Sequence, residues 1–235
     1  WKDDQISEGY LKRFEINLSL GVVNEITGYI LASACKLPVP SRAAIIKLPD
    51  HMQKDTGKAF YEWGFAVESV SGKTVATMYS AKLMAECKCL LDLIASWSKV
   101  SETLAFDDWT ANQDRNLGNA LIAGPEKIYL IDHSNLPVTI NWNKGMLNPS
   151  MQAKSVLAHN LNWINATPLP VKAKISEAAK QHTDYYKKSC DELKFWWDAL
   201  LINDTDRRGA IELFIRKRAD EGPSRITRNY QMLAV

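Results

Sequence analysis

Residues 107–119 read DDWTANQDRNLGN, and residues 130–133 read LIDH; together they are the most informative part of the sequence. Its polar residues stand where hydrophobic patterning alone would not place them. Asp114 and Asn119 bracket a short loop after a helix-like run, and Asp132 ends an apolar strand-like run. The segment therefore predicts a polar loop and a terminal carboxylate that are kept for chemistry rather than for packing.

Phosphoryl transfer needs a set of groups of this kind. One carboxylate orients the attacking hydroxyl and accepts its proton, while a carboxylate and an amide hold magnesium, which prefers oxygen ligands. In kinases the catalytic Asp and the Asn are five residues apart. Asp114 and Asn119 have this spacing, and Asp132 follows a hairpin predicted from strands at 120–123 and 128–131. A polar turn with Asx hydrogen bonds is the alternative for the loop taken alone.

The N-terminal part offers an independent check on this interpretation. Alternating polar and apolar residues over 10–16 predict a strand that contains Lys12, and apolar residues at helical spacing over 21–35 predict a helix with Glu25 at its edge. Kinases bind nucleotide phosphates with a strand Lys that a helix Glu holds in place. A strand Lys is otherwise common at solvated sheet edges, but its occurrence with Glu25, before Asp114, favours the nucleotide role.

The remaining pattern predicts an α+β chain of two parts. A small mixed α/β part would cover residues 1–70, and a larger, mostly helical part would cover residues 71–235. Further strands are predicted at 43–48 and 63–70, further helices at 83–97, 102–111, 150–165, 170–201 and 205–219, and an irregular tail after them.

Charge and composition exclude several classes of function. The net charge of +2 is too small to indicate nucleic-acid binding, and no apolar run is long enough to predict a membrane span. The chain has no signal-peptide pattern and its four cysteines contain no CxxC pair, which is typical of a cytoplasmic protein with reduced thiols. One basic cluster, interleaved with acidic residues, is predicted to be a solvated helix end: Arg216, Lys217, Arg218, Arg225 and Arg228.

The sequence resembles the HipA-like serine/threonine kinase group, bacterial kinases best known as toxins of toxin–antitoxin systems. The resemblance covers roughly residues 10–135, and the C-terminal helices match only in character. It is carried by the strand with Lys12, VNEI at 23–26, LPVP at 37–40, FAVE at 65–68, FDDWTANQDR at 106–115 and LIDH at 130–133.

The resemblance implies a two-lobed protein-kinase-like fold that uses ATP and Mg²⁺. Asp114 would be the catalytic base, with Asn119 and Asp132 as magnesium ligands at the catalytic centre. Lys12 would contact the phosphates, and Glu25 would orient Lys12.

The resemblance also implies how the adenine would be bound. Backbone groups of Glu68, Ser69 and Val70 would meet the base as the hinge between the lobes. Ile131 and Leu121 would form the floor of the adenine pocket, although core packing explains both residues equally well. The acceptor would be a Ser or Thr hydroxyl of a protein, and an antitoxin would be a possible partner.

The chain departs from the pattern of the family at three points. Asn116 stands where the family usually has His after the Asp-Arg pair, and His133-Ser134 follows Asp132 in place of Phe-Gly. The residues before Lys12 contain no Gly-rich phosphate loop, since Gly9 is the single glycine among them.

Two alternative functions remain open at this point. A small-molecule or lipid kinase of the same fold would need an acceptor pocket, which Asp184, Asp191, Glu192 and Asp198 would form unless they are the solvent face of a long helix. A nucleotide-binding pseudokinase or interaction module would keep the fold without turnover. Retention of Asp114, Asn119 and Asp132 argues against the second alternative.

Overall fold

A computed structural model describes residues 8–55, 57–74, 84–230 and 232, which form a mixed α+β structure with small antiparallel sheets. The strands are β1 (Gly9–Lys12), β2 (Ala43–Lys47), β3 (Lys54–Asp55), β4 (Lys58–Ala59), β5 (Trp63–Glu68), β6 (Lys73–Thr74), β7 (Ala120–Gly124) and β8 (Lys127–Leu130). The helices are α1 (Leu20–Ala34), α2 (Met84–Ser96), α3 (Val100–Thr110), α4 (Val156–Trp163), α5 (Leu169–Ala179), α6 (His182–Leu200), α7 (Thr205–Asp220) and α8 (Gly222–Asn229).

The first sheet has the strand order β1-β5-β2, with antiparallel pairing throughout. The predicted strand at 10–16 is shorter than expected: β1 ends at Lys12, and the chain continues through a single bridge from Glu15 to Phe60. Lys12 lies opposite Phe65 of β5, so both side chains are on one face of the sheet. That face is turned toward α1, whose Tyr29 ring packs edge-on against Phe65 with centroids 6.2 Å apart.

Helix α1 is buried over most of its surface because it lies between the sheet and α6. Its sequence predicted an apolar stripe, but the helix also buries Asn24 and Glu25 completely. It ends at the predicted place, where Lys36 adopts a left-handed φ of 56° and the Leu37 N–H donates to the Ala32 carbonyl at 3.0 Å. The following Pro38 carbonyl accepts from the Leu130 N–H at 2.8 Å, which joins this segment to β8.

Strands β6, β7 and β8 form a second antiparallel sheet, and its hairpin confirms the predicted turn. Strand β7 ends at Gly124 and β8 begins at Lys127. Helix α3 precedes this hairpin and supplies core residues on several faces, among them the fully buried Phe106 and Trp109. The loop of residues 112–119 therefore leaves a helix fixed in the core and enters a strand that is paired on both edges.

The C-terminal region differs from the sequence prediction in four ways. The predicted helix over 170–201 is two helices, α5 and α6, separated at Lys180 and Gln181, and the helix predicted over 150–165 is limited to α4. The tail predicted to be irregular contains α8. The basic cluster is not wholly solvated, because Arg218 and Arg225 are fully buried.

Buried carboxylate contacts explain the error about the basic cluster. Asp108 of α3 accepts from Arg225 Nε at 2.7 Å and from Asn229 Nδ2 at 2.6 Å. Arg218 donates to the carbonyls of Asp108 and Trp109. These bonds attach α7 and α8 to the helix that leads into the polar loop.

No helix in the described parts of the chain is long and apolar enough to cross a membrane. Leu83, the first residue of the stripe predicted for the helix over 83–97, lies outside the described residues.

Candidate active site

Three charged residues that the sequence singled out are in direct contact. Lys12 Nζ lies 2.6 Å from Glu25 Oε1 and 3.2 Å from Asp132 Oδ1. Glu25 is 1% exposed, and its other oxygen accepts from the His133 N–H at 3.1 Å. The first sheet, helix α1 and the segment after β8 therefore meet at one ammonium group.

The electrostatics of this cluster favour a charged lysine and a charged aspartate. Burial opposes the charge of Lys12, but the carboxylates of Glu25 and Asp132 outweigh it and raise the pKa of Lys12. Burial likewise acts to raise the pKa of Asp132, yet Lys12 and the hydrogen bonds from Ser134 lower it to about 2. Burial raises the pKa of Glu25, and the contact with Lys12 acts in the opposite direction. Asp132 is consequently an anion at neutral pH.

Asp132 is held in an unusual backbone conformation. Its φ of 58° lies in the left-handed region, which non-glycine residues adopt at a cost. Oδ1 accepts from Ser134 Oγ at 2.7 Å and from the Ser134 N–H at 3.4 Å, so the local hydrogen bonds stabilise this turn. The carboxylate remains 41% exposed and open to a further partner.

The loop that contains Asp114 is fixed by amide side chains. Asn119 Nδ2 donates to the Asp114 carbonyl at 2.9 Å, and Asn116 Nδ2 donates to the same carbonyl at 3.0 Å. Asn116 also caps the short 3₁₀ helix at Leu117–Asn119 by accepting from the Gly118 N–H at 2.7 Å. The Asx bonds expected of a polar turn are thus present, and they hold Asp114 and Asn119 in one compact loop.

Arg115 is a structural residue whose role the sequence analysis missed. It is fully buried, and its Nε donates to Asp107 Oδ1 at 3.2 Å. Its Nη1 donates to the carbonyls of Asn119 at 3.2 Å and Ile131 at 2.9 Å, and its Nη2 is 3.3 Å from His133 Nδ1. One guanidinium therefore joins the end of α3, the polar loop and the residues on both sides of Asp132. The Asp-Arg pair within the motif was the available signal.

Asn24 is a second residue that the sequence analysis did not assign. Its Nδ2 donates to the carbonyls of Ser134 at 2.6 Å and Ile140 at 3.1 Å, and its Oδ1 accepts from Trp142 Nε1 at 2.9 Å. Asn24 and Trp142 are both fully buried. Helix α1 thereby anchors residues 134–142 next to the cluster formed by Lys12, Glu25 and Asp132.

A narrow cavity of about 30 Å³ lies beside this cluster. Its lining includes Lys12, Phe65 and Val67 from the first sheet and Ile131 and Asp132 from the second part of the chain. Burial and the nearby Arg115 and Lys12 charges also hold the pKa of the lining residue His133 well below its usual value, so its ring is neutral.

The predicted hinge follows β5 at the edge of the same region. The N–H groups of Glu68 and Ser69 donate to the carbonyls of Arg42 and Glu8, both at 2.9 Å, and Ser41 Oγ donates to the Glu68 carboxylate. Those two N–H groups are therefore already used within the chain, whereas Val70 lies beyond the strand. Leu121 lies on β7, opposite Tyr129 of β8.

The oxygen donors suit a hard cation that also binds phosphate. No group of three His, Cys, Asp or Glu side chains able to hold a metal occurs among the described residues. Magnesium in phosphate sites typically binds one or two protein oxygens and completes its shell with water and substrate. Asp132 provides an ionised carboxylate, and Asn119 provides an amide whose nitrogen is already committed to Asp114. Both oxygens are of the type that Mg²⁺ prefers.

The acidic residues of the alternative small-molecule site do not form a pocket. Asp184, Asp191, Glu192 and Asp198 are exposed on α6, and Asp198 pairs with Arg208 at 3.0 Å. They are the solvent face of the helix. A hollow of about 500 Å³ elsewhere, between α5, α6 and the turn before α3, includes none of them.

Comparisons of the chain with models of protein families, with curated proteins and with solved structures found no match. Function is therefore inferred from the residues and distances of the site itself.

Proposed function

We propose that this chain is an ATP- and Mg²⁺-dependent kinase that transfers the γ-phosphoryl group to a Ser or Thr hydroxyl of a protein, in a two-lobed kinase-like fold. The observation that carries the proposal is the contact of Lys12 with both Glu25 and Asp132. Active kinases require a lysine held by a helix glutamate together with an aspartate placed to bind Mg²⁺. The likeness to the HipA-like group, with its toxin role, cytoplasmic location and antitoxin partner, belongs to the same proposal.

Each residue has a definite task in this proposal. Lys12 leaves Asp132 to contact the nucleotide phosphates while Glu25 keeps its ammonium in place. Asn119 and Asp132 would hold magnesium, which neutralises negative charge on the phosphates when it is bound. Asp114 orients the acceptor hydroxyl and takes its proton. Arg115 keeps these loops in register without contacting the substrate.

Adenine would bind between the first sheet and the hairpin. Val67 would cover one face of the base and Ile131 the other, and the backbone around Val70 would meet its edge. A cavity of about 30 Å³ is too small for a purine, so binding requires the lining side chains to move apart.

The narrowness of this cavity favours a second candidate, an interaction module that does not turn over ATP. Nucleotide affinity distinguishes the two candidates, because an interaction module with a closed cleft binds no ATP in the presence of magnesium. A pseudokinase would bind ATP without hydrolysing it.

The test uses purified protein, magnesium, γ-labelled ATP and a cell lysate. We expect label to appear on the protein or on a lysate band. The Asp114→Asn variant should lower the rate by about a hundredfold or more, since a positioned general base contributes about 10²–10⁴. Asp184→Asn is the matched control, because Asp184 is an exposed aspartate on α6. Equal labelling by wild type and Asp114→Asn would remove Asp114 from the chemistry.

A further inference from the structure

A pocket of about 230 Å³ lies beside Asp114. Its lining consists of Gln113, Asp114, Asn135, Val138 and Thr139, and none of these residues lines the narrow cavity beside Lys12. Asp114 is the one charged group in this lining. Asp114 thus lines a space whose lining residues differ from those of the narrow cavity beside Lys12.

Asn135 is the residue that holds the Asp114 carboxylate in this pocket. Its Nδ2 donates to Asp114 Oδ2 at 2.7 Å. The nearest other side-chain donor, Asn116 Nδ2, is at 3.5 Å from Oδ1, and Asn119 binds only the Asp114 carbonyl. Among the described residues, Asn135 therefore makes the one short hydrogen bond to this carboxylate.

Asn135 can orient Asp114 because its own backbone is fixed on both sides. The Leu136 N–H donates to the His133 carbonyl at 3.1 Å. Asn24 binds the carbonyls of Ser134 and Ile140, which flank the segment. A hydrogen bond from a fixed amide limits the rotation of a carboxylate, and this alignment is what a general base requires.

The charges around Asp114 also restrict what the pocket accepts. Arg115 is turned into the core toward Asp107, and Asp132 is held by Lys12. The other lining residues are uncharged. The described lining residues include no positive group that would balance the charge of Asp114. Asp114 would therefore repel an acidic ligand.

We infer that the pocket beside Asp114 is the acceptor site, that Asn135 is its positioning residue, and that the accepted hydroxyl lies in a neutral or basic segment. This inference rests on the proposed kinase function. Asn135 acts through Asp114 and touches neither the nucleotide nor the metal. Its loss should therefore lower kcat and leave the KM for ATP unchanged.

The experiment compares wild type, Asn135→Ala, Asn135→Asp and Asn148→Ala. Asn148 is the control, because it is an exposed asparagine in the same region whose side chain binds only the Ser150 N–H. Magnesium-dependent phosphate release and labelling are measured against ATP concentration between about pH 5 and pH 9, a range that covers the acidic limb of a pH–rate profile. Thermal unfolding of each variant verifies that it is folded.

We expect Asn135→Ala to lower kcat about tenfold or more, in line with the loss of a hydrogen bond to a charged group. Asn135→Asp has the same shape but places a second carboxylate beside Asp114, so the acidic limb should move to higher pH. An Asn135→Ala variant within twofold of wild type, or an unshifted limb in Asn135→Asp, would overturn the positioning role. A raised KM for ATP would show a general structural role instead.

The charge preference is tested with peptides that present one serine among lysines, alanines or glutamates. We expect the glutamate peptide to be the poorest acceptor; if it is the best, the assignment of the pocket fails. An inactive wild type would instead refute the proposed kinase function, and this inference with it. Active wild type with unaffected Asn135 variants would refute the inference alone.

Discussion

Helix α6 begins with His182, whose imidazole is buried against α3. The residue is 2% exposed, and its ring stacks on Trp109 with centroids 4.5 Å apart. Nδ1 has no hydrogen-bond partner among the described residues. Burial and the nearby Arg225 charge lower the pKa of His182 to about 3. Replacing it with Phe keeps an aromatic ring of similar shape and removes the titratable nitrogen.

The size of the effect follows from proton linkage. In the unfolded chain His182 takes up a proton near its ordinary pKa of about 6.5, whereas the folded protein resists protonation until pH falls to about 3. The stability that this group contributes is complete above the unfolded pKa and is lost as pH falls. The loss begins near pH 6.5, where the unfolded chain takes up the proton. At about 1.4 kcal/mol per pH unit below that point, the free energy of unfolding falls by about 2 kcal/mol between pH 7 and pH 5.

The assay is urea unfolding followed by tryptophan fluorescence at pH 7 and pH 5. His182→Phe should be more stable relative to wild type at pH 5 than at pH 7, by about 2 kcal/mol. Contributions of other titrating groups, including the buried His133, cancel in this difference. A difference between wild type and variant that is the same at both pH values would refute the reasoning, because the folded state would then protonate His182 as readily as the unfolded chain.

Two further substitutions test the buried network and the proposed metal ligand. Arg225→Met should lower the free energy of unfolding by about 3 kcal/mol, since it removes the closest charged partner of buried Asp108. Urea denaturation measures this, and the exposed Arg216→Met should stay within about 0.5 kcal/mol of wild type. Asp132→Asn should abolish the magnesium dependence of ATP affinity measured by calorimetry with magnesium or with chelator, and a variant that still responds to magnesium would exclude Asp132 as a ligand.

The site residues predicted from the sequence were those with a characteristic spacing. Asp114, Asn119 and Asp132 were predicted because their order and spacing match those of a kinase catalytic loop, and the structure places Asp114 and Asn119 in one loop. Lys12 and Glu25 were predicted as a pair, which their 2.6 Å contact confirms. The local spacing of apolar residues was enough for this pair, because it predicted the strand on which Lys12 lies and the helix on which Glu25 lies.

The residues that were missed depend on contacts distant in the chain. Arg225 looks solvated among acidic neighbours, and its burial requires Asp108, which lies 117 positions earlier. Asn24 interrupts an apolar helix without any local sign of its partners, Ser134 and Trp142, which α1 meets only after the chain folds. The break between α5 and α6 contains no proline or glycine to mark it.

The adjacency of Asn24 and Glu25 on α1 restricts how this protein can change during evolution. Consecutive helical residues point about 100° apart. The rotation of α1 about its axis therefore determines both the contact of Glu25 with Lys12 and the hydrogen bonds of Asn24 to residues 134–142. An insertion or deletion in α1 before this pair would disrupt both sets of contacts together. Changes in the cavity beside Lys12 are therefore expected to accumulate in the sheet or the hairpin, where a single side chain can vary without disturbing residues 134–142.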